Sequence, residues 1–249
     1  MRRCRVFNLL GDNRLVDFTQ AWRYQRALLE SMHLRKKAGE KDVTDAALLL
    51  QHHHVYTLGR GADEANVLTR QLAGPLVRVE RGGEVTYHGP GQLVVYPVLD
   101  LDKHKRDLHW YVRCLEETVI RTLAEHGLVG ERSAVNSGVW VGMDKVCAVG
   151  VTASRWITMH GLALNVNCDL ERFEDIVPCG IREPGRGVTS MRQLMSVERV
   201  DINAVAETLQ RNFARLFQYD QLLSSDEGEL ESLLRETSVV PREVNIGVQ

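Results

Sequence analysis

The chain has 249 residues, of which 44% are hydrophobic and 26% are charged, so a globular protein with a full hydrophobic core is expected. Its 31 Lys and Arg residues against 33 Asp and Glu residues give a formal net charge of -2, which excludes the basic footprint typical of nucleic-acid binders. The N-terminal residues contain no apolar stretch long enough for a signal peptide or a membrane span, although a precursor that has lost a transit peptide also fits.

Hydrophobic periodicity predicts both helices and strands. Apolar residues at helical spacing predict amphipathic helices over Asp17–Lys37, Leu108–His126 and Asn203–Leu216. Short apolar or β-branched runs predict strands over Ala46–Leu50, Val55–Leu58, Leu76–Val79, Leu93–Val98 and Ile157–Val166. A hairpin is predicted from Gly138–Gly142 and Lys145–Val151, with Asp144 in its turn. Because helices separate groups of neighbouring strands, we expect an α+β fold with a mixed β-sheet flanked by helices.

The sequence shows no repeat and no linker, so we expect a single domain over residues 1–220. Residues 221–249 are expected to form a charged C-terminal appendage, because acidic residues crowd positions 226–231. Leucines at 230, 233 and 234 have helical spacing, which leaves docking of this segment open.

A glycine-rich segment, Arg81–Gln92, lies between two predicted strands. Glycines let backbone N–H groups approach a ligand closely, and the interleaved polar residues are suited to line a pocket. A purely structural turn is the alternative interpretation. The segment lacks the GxxxxGK[ST] pattern, so a nucleotide-binding P-loop is not predicted.

Lys145 begins an otherwise apolar predicted strand. Its local pattern is compatible with a lysine that points to solvent. The alternative is a partly desolvated lysine that acts as a base or stabilises a thiolate.

The five cysteines form no CxxC pair, which indicates free thiols in a reducing compartment. Cys179 is flanked by Pro178 and Gly180, so a tight loop is expected to display it. Cys147 is the rival nucleophile, but its place in a β-branched strand favours burial. Cys114 and Cys168 are interpreted as core or near-core residues, and burial is also the alternative for Cys179.

The run His52–His54 suggests a metal site only superficially. Adjacent side chains on a strand alternate faces, so all three cannot bind one ion, and no metal site is predicted. His160, which precedes Gly161, is compatible either with a pocket residue or with a hydrogen-bonded core histidine.

Several of these segments resemble, in order and spacing, the octanoyltransferases of lipoate biosynthesis. The resemblance covers about Cys4–Leu216, and its most specific part is the string RGGxxTYHGPGQ with a downstream PCG. The matching segments are Tyr56–Arg60, Arg81–Gln92, Lys145–Val151, His160–Asn165, Pro178–Gly180 and Val188–Ser190. Three departures are noted: His53–His54 where prolines are expected, an insertion over Arg182–Arg186, and the tail beyond Asp220.

The resemblance implies the catalytic fold shared by biotin and lipoate protein ligases, which is similar to that of class II aminoacyl-tRNA synthetases. It also implies an acyltransferase in which Cys179 is the thioester nucleophile and Lys145 is its activating partner. The implied acyl pocket has these residues: Arg81, Gly82, Gly83, Glu84, Val85, Thr86, Tyr87, His88, Ala148, Val149, Gly150, Gly161, Leu162 and Ala163.

The implied donor is octanoyl-acyl carrier protein, and the implied acceptors are lysines of lipoyl domains in 2-oxoacid dehydrogenases and of the glycine cleavage H protein. No metal or ATP cofactor is expected, because a thioester is already activated. Amides near Gly161 or Gly180 are candidates for the oxyanion site. A basic surface for an acidic carrier is predicted from Arg60, Arg78, Arg81, Lys103, Lys105 and Arg106.

Two other functions fit the same residues. One is an ATP-dependent lipoate or biotin-type ligase on the same fold, and the other is a non-catalytic protein that binds lipoyl domains or acyl chains. Retention of both Lys145 and Cys179 favours the enzyme over the binder. A cytoplasmic location is expected, or a mitochondrial or plastid matrix if a transit peptide has been removed.

Overall fold

The computed structural model describes residues 1–134, 136–237 and 239. Its α-helices are α1 (Phe18–Lys37), α2 (Leu108–Glu125), α3 (Met191–Met195), α4 (Ile202–Leu216) and α5 (Glu227–Thr237). Its first six strands are β1 (Arg3–Asn8), β2 (Asp45–Leu50), β3 (Val55–Leu58), β4 (Leu76–Arg78), β5 (Thr86–His88) and β6 (Gln92–Val98). The later strands are β7 (Glu131–Arg132), β8 (Gly138–Val141), β9 (Asp144–Ser154), β10 (Ile157–Asn165), β11 (Gly187–Val188) and β12 (Gln221–Ser225).

One large sheet runs through the described residues in the order β12-β1-β2-β6-β10-β9-β8-β7, with β11 attached beside β9. β1 pairs in parallel with both β2 and β12, whereas β2, β6, β10, β9 and β8 are joined by antiparallel pairs. The predicted α+β fold with a mixed sheet is therefore confirmed. A smaller sheet has the order β4-β3-β5.

Two hydrophobic layers cover the two faces of the large sheet. Side chains of a strand alternate between faces, so Ala47 and Leu49 of β2 join the layer under α2 and α4, and Leu48 joins the layer under α1 and α5. In α4 the inward residues recur at steps of four, which places Val205 and Leu209 on one buried stripe. This packing explains why the three predicted helices form close to their predicted bounds.

The chain beyond residue 220 was predicted to be an appendage, but its described part packs against the rest of the protein. β12 adds a parallel strand to β1, and α5 buries Leu230 and Leu234 in the layer that contains α1. Arg14 of the N-terminal region forms an ion pair with Glu227. Burial of the leucines overrides the solvation of the acidic face, while residues 238 and 240–249 lie outside the described part.

Within the described residues, each helix is too short or too polar to span a bilayer.

Candidate active site

A cavity of about 380 Å³ opens between β5, β9 and β10, and both predicted catalytic side chains line it. Its volume lies in the range of small-molecule sites. The predicted residues that line it are Lys145, Cys179, Arg81, Gly82, Gly83, Glu84, Thr86, His88, Ala148, Val149, Gly150, Gly161, Leu162 and Ala163. The sequence segments that resemble the octanoyltransferases therefore converge on one site.

Val85 and Tyr87 do not line this cavity, contrary to the prediction. Both are fully buried in a separate apolar cluster beside the small sheet. Thr86 and His88 line the cavity, so the alternation of side chains along β5 sends their neighbours to the opposite face. The glycine-rich segment thus contains a short strand and lines the site with alternate residues.

Residues outside the predicted acyl pocket complete the wall. They are Phe18, Thr57, Tyr96, Val112, Asn136, Ser137 and Val151. Phe18 begins α1 and Val112 belongs to α2, so the cavity is closed by helices from both faces of the large sheet. Thr57 and Val151 lie in segments that resemble the octanoyltransferases, whereas no local motif marks the other five positions, because only the fold brings their elements together.

Cys179 lies in a single helical turn with an unusual backbone conformation. Its φ of 55° and ψ of 20° are in the left-handed region, which is uncommon for a residue other than glycine. Pro178 precedes it and Gly180, at a φ of 70°, follows it. Such conformations persist only where surrounding contacts hold them, and they cluster at functional sites.

Hydrogen bonds to two other segments hold the Cys179 turn. The Cys179 amide donates to Val85 O at 2.8 Å, and the Val177 amide donates to Asn66 O at 2.7 Å. The Glu84 carboxylate accepts from Asn66 Nδ2 at 3.0 Å, and a Cβ on Gly180 would lie 3.0 Å from Glu84 Cγ. The turn is thus preorganised before any substrate arrives.

The Gly180 amide was a candidate for the oxyanion site. In the structure it donates to Val177 O at 3.1 Å, so this N–H is already used to close the turn. Gly161 lies on β10 at the cavity, opposite Gly150 of β9.

Lys145 is almost fully buried, with 2% of its surface exposed, which excludes the solvent-facing interpretation. Its Nζ donates to Ser137 O at 3.0 Å and lies 5.1 Å from the centre of the Trp140 ring. An ammonium group has three N–H donors, and a cation over an aromatic face is favoured. The structure thus holds a buried cation at the cavity wall.

The insertion over Arg182–Arg186 contacts both sides of the site. Arg182 donates to Asn66 Oδ1 at 2.6 Å, next to the Cys179 turn. Arg186 lies 5.0 Å from the centre of the same Trp140 ring that Lys145 contacts. The segment therefore connects the nucleophile side of the cavity to the lysine side.

Arg81 adds a second buried cation. Its guanidinium donates to Thr57 O at 2.7 Å and to Gly82 O at 2.9 Å. Burial lowers the pKa of Arg81 from its ordinary value, while the negative form of Cys179 opposes that shift. A guanidinium stays charged in proteins, so Arg81 places a positive charge in the wall of the cavity that Cys179 also lines.

Neutral histidines surround the inner part of the cavity. Burial lowers the pKa of His88 to about 3 and that of His160 to about 3, and it lowers the pKa of His52, behind them, to about 4. His52 bonds to Val16 O and to the Tyr96 hydroxyl. His160 lines the cavity, and its Nε2 has no hydrogen-bond partner among the described residues.

These histidines predict that the protein loses stability in mild acid. The unfolded chain binds protons near the ordinary histidine pKa of about 6.5, but the folded chain does not, so stability falls as pH drops below that value. We expect a loss of about 1 kcal/mol for each of the three histidines between about pH 7.5 and about pH 5.5. Urea unfolding at both pH values measures this loss, and a free energy of unfolding that stays level or rises would contradict it.

The other cysteines are less suited to nucleophilic attack. Cys147 and Cys168 are fully buried, and burial raises the pKa of both thiols. Cys114 is half-buried on α2, and burial raises the pKa of its thiol to about 11. The prediction that Cys147 is buried is confirmed.

The basic surface predicted for an acidic carrier is largely opposed by carboxylates. Arg81 is buried inside the cavity wall. The cations and their acidic partners are Arg78 with Glu64, Lys103 with Asp42, Lys105 with Asp107, and Arg106 with Asp102. Arg60 is exposed and donates to Glu80 O. Exposed ion pairs of this kind leave little net positive charge, so the prediction overestimated the positive charge of this surface.

Comparisons with known proteins show that this chain is similar to one group of enzymes. Residues 17–214 match the family model described as the lipoyl protein ligase A/B catalytic domain. An octanoyltransferase of Gloeobacter violaceus is 48% identical over 200 residues, which cover 80% of this chain and 86% of that protein. A chloroplastic octanoyltransferase of Arabidopsis thaliana is 42% identical over 231 residues, which cover 87% of this chain and 80% of that protein.

Among solved structures, the fold is similar to that of lipoate protein ligases. Lipoate-protein ligase A bound with ATP has a TM-score of 0.69 at 19% identity, over 100% of this chain and 99% of that chain. A bipartite lipoate protein ligase from Thermoplasma acidophilum has a TM-score of 0.69 at 18% identity, over 100% of this chain and 97% of that chain. The predicted likeness to the lipoate ligase fold is confirmed.

Proposed function

We propose that Cys179 carries the octanoyl group in this chain, which belongs to the lipoyl protein ligase A/B catalytic-domain family and is an octanoyltransferase of protein lipoylation. The observation that supports this assignment is the shared cavity, where a strained, displayed Cys179 and a buried Lys145 face the same space. Enzymes of this kind act between acyl carriers and lipoyl domains. For this chain we propose octanoyl-acyl carrier protein as donor, and lipoyl-domain and H-protein lysines as acceptors.

In the first half of the reaction, the Cys179 thiolate attacks the thioester carbonyl of the donor. The cations of Lys145 and Arg81 favour the thiolate, because opposite charges nearby stabilise it. The tetrahedral intermediate then collapses and breaks the bond to the carrier sulfur. The carrier leaves as a thiol after taking one proton, for which Lys145 is the proposed source, and octanoyl-Cys179 remains.

In the second half, a lysine amine of the acceptor attacks the carbonyl of octanoyl-Cys179. An amine must be neutral to attack and must lose a proton once the C–N bond has formed. Lys145, neutral after the first half, accepts that proton, and Cys179 leaves as the thiolate. The products are an amide on the acceptor and an enzyme in its starting protonation state.

A cytoplasmic or organelle-matrix location is part of the same proposal. No metal or nucleotide is needed for either half, since the thioester supplies the activation.

The apolar residues Val112, Val149 and Leu162 are proposed to contact the acyl chain, because burial of its methylene groups is favourable.

The acyl-enzyme is directly testable by intact-mass analysis. After incubation with octanoyl-acyl carrier protein and without acceptor, we expect one octanoyl adduct, which hydroxylamine removes and peptide mapping assigns to Cys179. Addition of a lipoyl domain should discharge it. Octanoylation that requires ATP and free octanoate, and that survives Cys179→Ala, would overturn this mechanism in favour of a ligase.

A further inference from the structure

Glu116 is a fully buried carboxylate in the middle of α2, and the acyl-transfer mechanism above does not use it. Charged side chains are rarely buried completely unless they are paired. Glu116 Oε2 accepts from Arg113 at 2.8 Å, and Arg132 of β7 approaches the same oxygen at 3.4 Å. Its other oxygen, Oε1, has a different partner.

Glu116 Oε1 and Lys145 bind the two ends of one peptide group. The Gly138 N–H donates to Glu116 Oε1 at 2.9 Å. The carbonyl of the same peptide, Ser137 O, accepts from Lys145 Nζ at 3.0 Å. A carboxylate, a peptide dipole and an ammonium therefore stand in one chain of hydrogen bonds.

Such a chain is cooperative in a buried environment. A carboxylate on the N–H end polarises the peptide and makes its carbonyl a stronger acceptor for a cation. The peptide is also crowded, since a Cβ on Gly138 would lie 2.4 Å from Cys147 O and 3.4 Å from Lys145 Cε.

We infer that Glu116 is a positioning residue for acyl transfer, which acts on Lys145 through the Ser137–Gly138 peptide. It fixes the carbonyl that orients the Lys145 ammonium at the cavity wall, and its charge favours the ammonium form through the polarised peptide. The inference rests on the proposed role of Lys145 in acyl transfer.

Other charged groups nearby define what the charge of Glu116 must outweigh. Arg113 and Arg132 form ion pairs with Glu116, and Arg186 and the Lys145 ammonium both lie about 5 Å from the centre of the Trp140 ring. Cys179 shares the cavity, and Cys147 stands two residues after Lys145 on β9. The positive charge of each arginine disfavours a cationic Lys145. The negative charge of Glu116, on the far side of the peptide, opposes that effect.

The test compares Glu116→Gln and Glu116→Ala with Glu117→Gln as a matched control. Glu117 is the next residue of α2, and its carboxylate binds Arg121 and Arg132 at the surface. The measured quantity is the rate of octanoyl-Cys179 formation by rapid-quench intact mass, as a function of pH. Thermal melting of each variant monitors folding.

We expect Glu116→Gln, whose amide oxygen can still accept from Gly138, to acylate about 10-fold more slowly, and Glu116→Ala about 100-fold more slowly. Because the Gln variant lacks the negative charge, the alkaline limb of its pH–rate profile should move to lower pH. Glu117→Gln should behave like the wild type in both rate and profile.

Wild-type acylation rates in both Glu116 variants would overturn the inference. A lower rate with an unshifted pH profile and a matching loss of melting temperature would also overturn it, since that result describes a structural ion-pair partner. If wild-type protein forms no adduct on Cys179, the proposed function itself fails, and the inference fails with it.

Discussion

Cys179→Ala is expected to lower the rate of octanoyl transfer by at least about 10³-fold, because it removes the atom that accepts the acyl group. The left-handed backbone at Cys179 is held by the Val85 carbonyl and by neighbouring turns, not by the thiol. Folding should therefore be retained. Steady-state transfer to a lipoyl domain, with melting temperature beside it, measures both effects.

Cys114→Ala is the matched control, since it removes a half-buried thiol on α2 and leaves the cavity wall intact. It should keep wild-type activity. A Cys179→Ala variant that still transfers octanoate from the carrier at near wild-type rate would contradict the covalent mechanism and would point to direct attack by the acceptor lysine.

Lys145→Met is expected to lower the rate by about 10² to 10⁴-fold, the range typical of a lost general acid–base. Methionine fills similar space but has neither the charge nor the N–H donors that face Ser137 O and the Trp140 ring. Both halves of the reaction should slow, because the lysine supplies a proton in one and accepts it in the other. Single-turnover acylation and deacylation measured separately resolve the two halves.

Lys145→Arg should not restore activity, although it keeps a positive charge. The planar guanidinium is larger than the ammonium of Lys145 and does not give up its proton, so it cannot act as the base. Lys37→Met, at the exposed end of α1, is the control for loss of a lysine charge. Full activity in Lys145→Met would remove this residue from the mechanism.

Much of the fold follows from the sequence because its long elements have strong periodicity. The predicted helix over Asn203–Leu216 differs by one residue from α4, and the predicted hairpin corresponds to β8 and β9. Short strands carry no such period. β5 has three residues within the glycine-rich segment, so its alternation was not foreseen, and Val85 and Tyr87 were placed in the pocket with their neighbours although they do not line the cavity.

The candidate site was predictable where a residue type and its motif carry the chemistry, as for Lys145 and Cys179. Glu116 was not, since a charged residue on a helix is expected at the surface unless the fold provides partners for it. Its neighbour Leu115 is an apolar residue of the core. A carboxylate is stable beside it only because the Gly138 amide and two arginines bind that carboxylate. A single sequence contains no local signal of that arrangement.

The parallel pairing of β12 with β1 has a consequence for anyone who shortens this chain. The sequence suggested residue 220 as a natural end, but a chain cut there would lose the strand that pairs with the outer side of β1. The N–H and C=O groups of β1 would then be open to pairing with another molecule, which is a recognised route to aggregation. Residues 221–225 thus cover the edge of β1. A chain that lacks them is expected to be less soluble, although this segment lies far from the catalytic residues.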